Sequence, residues 1–193
     1  MKRSDAITKG PAKAAARAML RATGLQDDDF TRPMVGVIST YSSVLPCNIH
    51  LRSLALSVCE GVRAGGAVPF EFGAPVVTDG IAMGHDGMRA SLISREVIAD
   101  SIEICVRGHA LDAAIILVGC DKTIPAAAMA LARLGVPGVV LYGGTIGKGR
   151  LDDRDLSIQD VFEAVGQHAR GDLSDEGLEA VEKSACPGAG ACG

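Results

Sequence analysis

The chain has 193 residues, 48% of them hydrophobic, 22% charged and only 3% aromatic, with a formal net charge of −4. That length allows one domain with a real core, while the mild acidity, without a basic patch or aromatic–basic interleaving, argues against nucleic acid as a partner. No apolar stretch approaches the ~20 residues of a membrane span and no apolar leader follows Met1, so the chain reads as cytoplasmic and its six cysteines, which show no CxxC spacing, are expected to stay reduced, bind metal or do redox work.

Residues 1–10 read as a loose arm. Residues 11–23 predict a helix, with Pro11 in its first turn, many alanines, and Gly24 as terminator. Gln26 to Asp29 is a polar connector. Met34–Ser39 predicts the first strand, and a loop carrying Tyr41, Ser42, Ser43 and Pro46 leads to Cys47. Residues 48–64 predict a strong helix, because Leu51, Leu54, Ala55, Val58 and Val62 recur at helical spacing. Residues 68–72 predict the second strand. A loop over 73–94 follows, holding Asp79-Gly80 and Gly84-His85-Asp86-Gly87, and loops of that length are often functional. Residues 95–108 predict a helix with Ile98, Ile102 and Cys105 on one face. Ala113–Val118, an apolar run without alternation, predicts a strand buried on both faces. Thr123–Leu134 predicts an alanine-rich helix closed by Gly135, and Gly138–Tyr142 the fourth strand. A flexible loop over 143–149 and helices over about 157–170 and 174–184 complete the order. Such alternation predicts an α/β fold, a parallel sheet with helices on both faces in three α/β/α layers. The chain ends inside a glycine-rich loop, which reads as the front part of a longer protein, possessing this one α/β domain over residues 1–193.

Cys120-Asp121-Lys122 stands directly after the third strand, and residues past the carboxyl end of such a strand are where open α/β sheets place their chemistry. A thiolate, a carboxylate and an amine together suggest a site built around metal, since charges at the end of a buried strand need a partner or a ligand. Cys47 follows the first strand and stands at the head of the helix predicted from Asn48, where the helix dipole favours a thiolate. Asp79 follows the second strand; a turn aspartate is the bland alternative. Asp79 and Asp121 would give a hard cation such as Mg2+ two carboxylates. Lys122 is either their counter-ion or, carbamylated, a third oxygen ligand. In the Cys186 to Gly193 segment, spacing leaves both Cys186 and Cys192 open. Cys59 and Cys105, on helices among apolar neighbours, read as core. His85 with Asp86 is a weak catalytic candidate, His50 a packing residue, and His109 and His168 surface residues. Residues 188–193 fit GxGxxG but follow a helix, and the P-loop-like Gly143 to Lys148 is one residue short, with Gly149 where Ser or Thr is needed.

Pro46-Cys47-Asn48, Thr78-Asp79-Gly80-Ile81-Ala82-Met83-Gly84, Ser94-Arg95-Glu96-Val97-Ile98-Ala99-Asp100-Ser101, Gly119-Cys120-Asp121-Lys122, Tyr142-Gly143-Gly144 and Ala185-Cys186-Pro187-Gly188-Ala189-Gly190-Ala191-Cys192-Gly193 together resemble the dihydroxy-acid dehydratase / phosphogluconate dehydratase family. The resemblance runs in the family's order over nearly the whole chain. It implies that Cys47, Cys120 and Cys192 hold an iron–sulfur cluster, [2Fe–2S] rather than [4Fe–4S], with one iron left open to substrate. It implies that Asp79, Asp121 and carbamylated Lys122 bind Mg2+, with Cys186 a neighbour rather than a ligand. The implied reaction is dehydration of a 2,3-dihydroxy acid (2,3-dihydroxy-isovalerate or 2,3-dihydroxy-3-methylvalerate) to a 2-keto acid in branched-chain amino-acid biosynthesis, by a homodimer in the full-length form. Family members are roughly three times this length, and their later part supplies a further carboxylate and a serine base. The loop from Ser39 to Leu45 departs from the family's Trp-Asn-Glu-Val-Thr form. Two other readings stand beside this one: a sugar-acid dehydratase of the same chemistry, and a folded metal- or partner-binding fragment without turnover.

Overall fold

The computed structural model describes residues 2–192. Its centre is a parallel sheet of β1 (Met34–Ser39), β2 (Val68–Gly73), β3 (Ala113–Val118) and β4 (Gly138–Tyr142), in the order β2-β1-β3-β4. A short antiparallel pair, β5 (Gly149–Leu151) and β6 (Arg154–Leu156), stands apart from it. The helices are α1 (Asp5–Thr8), α2 (Ala14–Ala22), α3 (Leu51–Ala64), α4 (Asp79–Ala82), α5 (Gly87–Gly108), α6 (Thr123–Leu134), α7 (Ile158–Ala169) and α8 (Asp175–Ala185).

Successive side chains of a strand point to opposite faces, and both faces here are apolar. Met34 and Ile38 of β1 join Ala114, Ile116 and Val118 of β3 beneath Ile98 and Ile102 of α5 and Ala126, Ala127 and Ala130 of α6. Val35 and Val37, on the other face of β1, join Leu117 beneath Leu51, Ala55, Cys59 and Val62 of α3. The three-layer α/β/α arrangement is therefore the one the strand–helix alternation predicts. Small residues on α6 let that helix lie close to the sheet, and Gly135, at φ 59°, closes it in the left-handed conformation that glycine adopts cheaply. Cys59 is core, as expected, whereas Cys105 is only half-buried. Among the described residues no helix is long and apolar enough to cross a membrane.

Four local expectations are corrected. The segment over residues 1–10 is not a loose arm. Ser4, Asp5 and Thr8 are buried, and α1 is tied to the start of β3 through Asp112. The loop over 73–94 is much shorter than expected, because α4 occupies its middle and α5 begins at Gly87. The helix expected from Asn48 begins at Leu51, so Cys47 lies in the turn before it and caps nothing. The flexible loop over 143–149 runs into the β5–β6 hairpin, turned at Asp152, whose φ is 53°. Gly193, which closes both the terminal motif and the rejected GxGxxG match, lies outside the described residues.

Asp112 is the anchor of the amino-terminal segment. Its Oδ1 accepts from the Ser4 backbone N–H at 3.0 Å, and its Oδ2 accepts from the Ser4 hydroxyl at 2.6 Å and the Met34 N–H at 2.8 Å. Burial pushes this carboxyl up, but the donors from Met34 and Ser4 outweigh it and hold it below the usual carboxylate range. A depressed folded-state value contributes stability above the unfolded value and loses it as pH falls through the folded one. Asp112→Ala is therefore expected to cost about 1–2 kcal/mol near neutrality, the lower part of the range because the carboxylate is partly solvated. Chemical denaturation at several pH values checks this. The gap between wild type and variant should shrink below about pH 4, and a gap that stays constant into acid would contradict the assignment.

Candidate functional site

The chain leaves β1 for β2 on one side and returns through β3 on the other. The carboxyl ends of β1 and β3 thus flank a topological switch point, where open α/β sheets form their ligand crevice. Cys47 lies in the loop after β1 and Cys120 directly after β3. Gly119 sets how close these loops come: a Cβ there would collide with the Cys47 carbonyl group. The hydroxyl of Thr123 accepts from the N–H groups of Gly119 and Cys120 and donates to the Cys120 carbonyl at 2.9 Å, fixing the turn into α6. Asn48, fully buried, donates to the carbonyl and hydroxyl oxygens of Thr40 at 2.7 and 2.8 Å, and the Thr40 hydroxyl donates to the Leu117 carbonyl. The loop that carries Cys47 is thereby tied by buried polar side chains to β3, the strand that ends just before Cys120.

The carboxyl-terminal segment is laid onto the same edge by its backbone. The Gly190 N–H donates to the Pro46 carbonyl and the Ala191 N–H to the Gly144 carbonyl, each at 2.9 Å, while the Ile146 N–H donates to the Ala191 carbonyl at 2.8 Å. Gly190 has a φ of 134°, and a Cβ there would strike the backbone of Thr145 and Ile146. These constraints bring Cys192 Sγ to 3.8 Å from Cys47 Sγ. Cys186 sits at the end of α8, exposed, and does not share that contact.

All six cysteines are free thiols. Burial pushes the Cys120 thiol up. Burial, and then proximity to Cys47, pushes the Cys192 thiol up to about 11. The Cys120 and Cys192 thiols thus resist ionising alone and would ionise more readily beside a positive centre.

A few residues away, Lys122 Nζ donates to Asp79 Oδ2 at 2.8 Å and to Asp121 Oδ2 at 2.5 Å. The carboxylates of Asp121 and Asp79 raise the lysine's pKa. Burial raises the Asp79 carboxyl, but hydrogen bonds from Lys122 and from the Ser91 hydroxyl hold it below the usual range. The ammonium thus stands between two carboxylates, where a cation would be bound. A carbamate on Nζ would reverse its charge and call for a metal cation in its place.

Among the described residues no group of three or more His, Cys, Asp or Glu side chains is assembled tightly enough to hold a metal ion. The donor chemistry nevertheless fits the two implied groups: soft sulfurs from Cys47, Cys120 and Cys192 on one side, hard oxygens of Asp79 and Asp121 on the other. Asp79, Asp121, Cys120 and Cys192 line one cavity of about 350 Å³ together with Met83, Ile124, Ile158 and Phe162. The sequence-derived candidates other than His85 and Cys186 therefore meet at one edge. His85 is exposed and its ring bonds to the backbone of Ile81 in α4 and Gly87 at the start of α5, away from the cavity lining. His50 donates from Nε2 to the Gly143 carbonyl at 2.8 Å, packing the β1 loop on the β4 loop as expected. His109 is exposed and His168 half-buried at the surface, with bonds to Cys105 and Asp175. Thr40, Thr123 and Ser91 are not among the sequence-derived candidates. Their hydroxyls act through partners distant in sequence or through backbone turns, for which no spacing in the sequence gives a signal.

Residues 32–193 match the family model described as dihydroxy-acid/6-phosphogluconate dehydratase N-terminal. The chain is 57% identical over 192 residues to a dihydroxy-acid dehydratase of Koribacter versatilis, covering 100% of this chain and 34% of the relative. It is 57% identical over 191 residues to a dihydroxy-acid dehydratase of Thermus thermophilus, covering 99% and 34%, and 53% identical over 193 residues to one of Prochlorococcus marinus, covering 100% and 35%. The chain thus spans about a third of the length of the curated relatives it matches.

Proposed function

We propose, from the premise that this chain belongs to the dihydroxy-acid/6-phosphogluconate dehydratase family, that it is the cofactor-bearing α/β part of a cytoplasmic hydro-lyase acting on 2,3-dihydroxy-3-methyl acids. Residues 1–193 would carry the cluster and the metal, and a further domain of the intact protein would complete the catalytic machinery. The observation that carries the substrate assignment is the cavity at the sheet edge. Its lining combines two carboxylates and two thiols with the apolar Met83, Ile124, Ile158 and Phe162, adds Thr78 and Tyr142 as neutral polar groups, and includes no Lys or Arg among the described residues. A small branched acid suits that wall, because its alkyl groups gain burial there. A phosphorylated sugar acid would bring a dianion to a lining that holds two carboxylates and no described Lys or Arg to pair with it.

Cys47, Cys120 and Cys192 would hold an iron–sulfur cluster, [2Fe–2S] in preference to [4Fe–4S], and Asp79, Asp121 and carbamylated Lys122 a Mg2+, which when bound supply Lewis acidity for expelling the C3 hydroxyl and for holding the carboxylate end of the substrate. Asp79 and Asp121 contribute two hard donors whose spacing is set by α4 and by the turn after β3. Met83, Ile124, Ile158 and Phe162 would pack against the substrate's branched carbon. Free thiols suit a reducing cytoplasm. For the homodimer, the outward faces of Leu92, Ile93, Val97 and Ile104 on α5 offer an apolar surface to cover.

Product analysis with the intact protein tests this reading. 2,3-Dihydroxy-isovalerate and 2,3-dihydroxy-3-methylvalerate should yield their 2-keto acids, with kcat/KM more than about 100-fold above that for 6-phosphogluconate. The reverse order would overturn the substrate assignment, and no turnover of any of the three would favour the non-catalytic reading.

A further inference from the structure

We propose that Ser91 is a positioning residue for the divalent-cation site: its hydroxyl fixes the direction in which the Asp79 carboxylate faces. The inference rests on the reading above that Asp79 is a ligand of that cation. Ser91 lies on α5, within its second turn, and its side chain is fully buried. Its Oγ donates to Asp79 Oδ1, while Oδ2 of the same carboxylate faces Lys122 at 2.8 Å. The two oxygens of Asp79 are thereby made unequal. One is held by a hydroxyl that carries a single proton, and the other is presented to the group between Asp79 and Asp121.

A carboxylate's terminal torsion is broad and nearly two-fold, so without a second contact Asp79 would swing or exchange oxygens. Ser91 removes that freedom. Its own backbone is braced, since the Ser94 hydroxyl donates to the Ser91 carbonyl at 2.7 Å. The donor thus sits on a 22-residue helix rather than on the short α4 turn that carries Asp79, and rigid elements hold a ligand more tightly than loops do. Partners that orient metal ligands are commonly worth 10–100-fold in metal affinity.

The test uses the intact protein with Mn2+ as the probe, its free concentration followed by electron paramagnetic resonance, in wild type, Ser91→Ala, Asp79→Asn and the double variant. Ser91→Ala should weaken Mn2+ binding about 10-fold, with iron and sulfide content unchanged, and should add nothing in the Asp79→Asn background. Unchanged affinity in Ser91→Ala while Asp79→Asn weakens binding would overturn the positioning role and leave the metal reading standing. Equal losses in both backgrounds would also overturn it, because the effect would not pass through Asp79. Unchanged affinity in Asp79→Asn would instead refute Asp79 as a ligand, and the inference with it.

Discussion

Cys120→Ser is expected to remove the iron–sulfur cluster from the intact protein, while Cys59→Ser leaves it in place. Both cysteines are buried, at 6% and 5% exposure, so burial does not distinguish them. Their surroundings do. Cys59 is on α3 among Val35, Val37 and Leu117, where a hydroxyl would enter an apolar layer. That substitution should cost about 1–3 kcal/mol of stability and nothing at the sheet edge. Cys120 faces the cavity that Cys192 and both carboxylates line, and its backbone is fixed by Thr123. Serine there keeps the volume and the turn but replaces a soft donor with a hard, weakly acidic one. Iron and acid-labile sulfide per chain are the readout. Near-zero content in Cys120→Ser with near-wild-type content in Cys59→Ser is the expected result, and equal content in the two variants would sink the ligand assignment.

Lys122→Arg should abolish cation-dependent turnover of the intact protein, by at least about 100-fold in kcat, since losing a ligand costs more than losing its outer partner. Arginine keeps the positive charge that now bridges Asp79 and Asp121 at 2.8 and 2.5 Å. If Lys122 served only as a counter-ion, the exchange would be mild, because a guanidinium pairs well with carboxylates. If it serves as a carbamate, arginine cannot replace it and leaves a cation where an anion is needed. The substitution therefore separates the two roles that the sequence leaves open. Turnover retained within a few-fold would refute the carbamate.

The sheet is legible in the sequence because each strand is a short apolar run between glycines and polar turns. β1, β3 and β4 have the expected bounds, and β2 differs by one residue. Strand order is not legible, since parallel strands pair across long crossovers and nothing local records which neighbours meet. The start of α5 escapes sequence reading for a specific reason. In its first turns the buried positions are Ser91 and Ser94, while Leu92 and Ile93 point outward at 58% and 64% exposure. The apolar period is inverted there, so periodicity fails over the stretch that carries the Asp79 partner. The order of the amino-terminal segment escapes it because the anchor is a polar contact between Ser4 and Asp112, more than 100 residues apart. At the site, Cys120 and Asp121 stand out because they follow the end of β3 directly, and Cys47 because it lies in the loop between β1 and the next helix. Choosing Cys192 over Cys186 needs the resemblance. In the structure the backbone bonds of Gly190 and Ala191 to Pro46 and Gly144 bring Cys192, and not Cys186, next to Cys47.

The most direct test is the iron and acid-labile sulfide content, with the visible spectrum, of the intact protein purified without oxygen. About two irons and two sulfides per chain, with the charge-transfer bands of a [2Fe–2S] centre, is the expected result and would place a cluster in a chain whose sheet edge gathers Cys47, Cys120 and Cys192. Absence of iron and sulfide after anaerobic reconstitution would contradict the account at its centre.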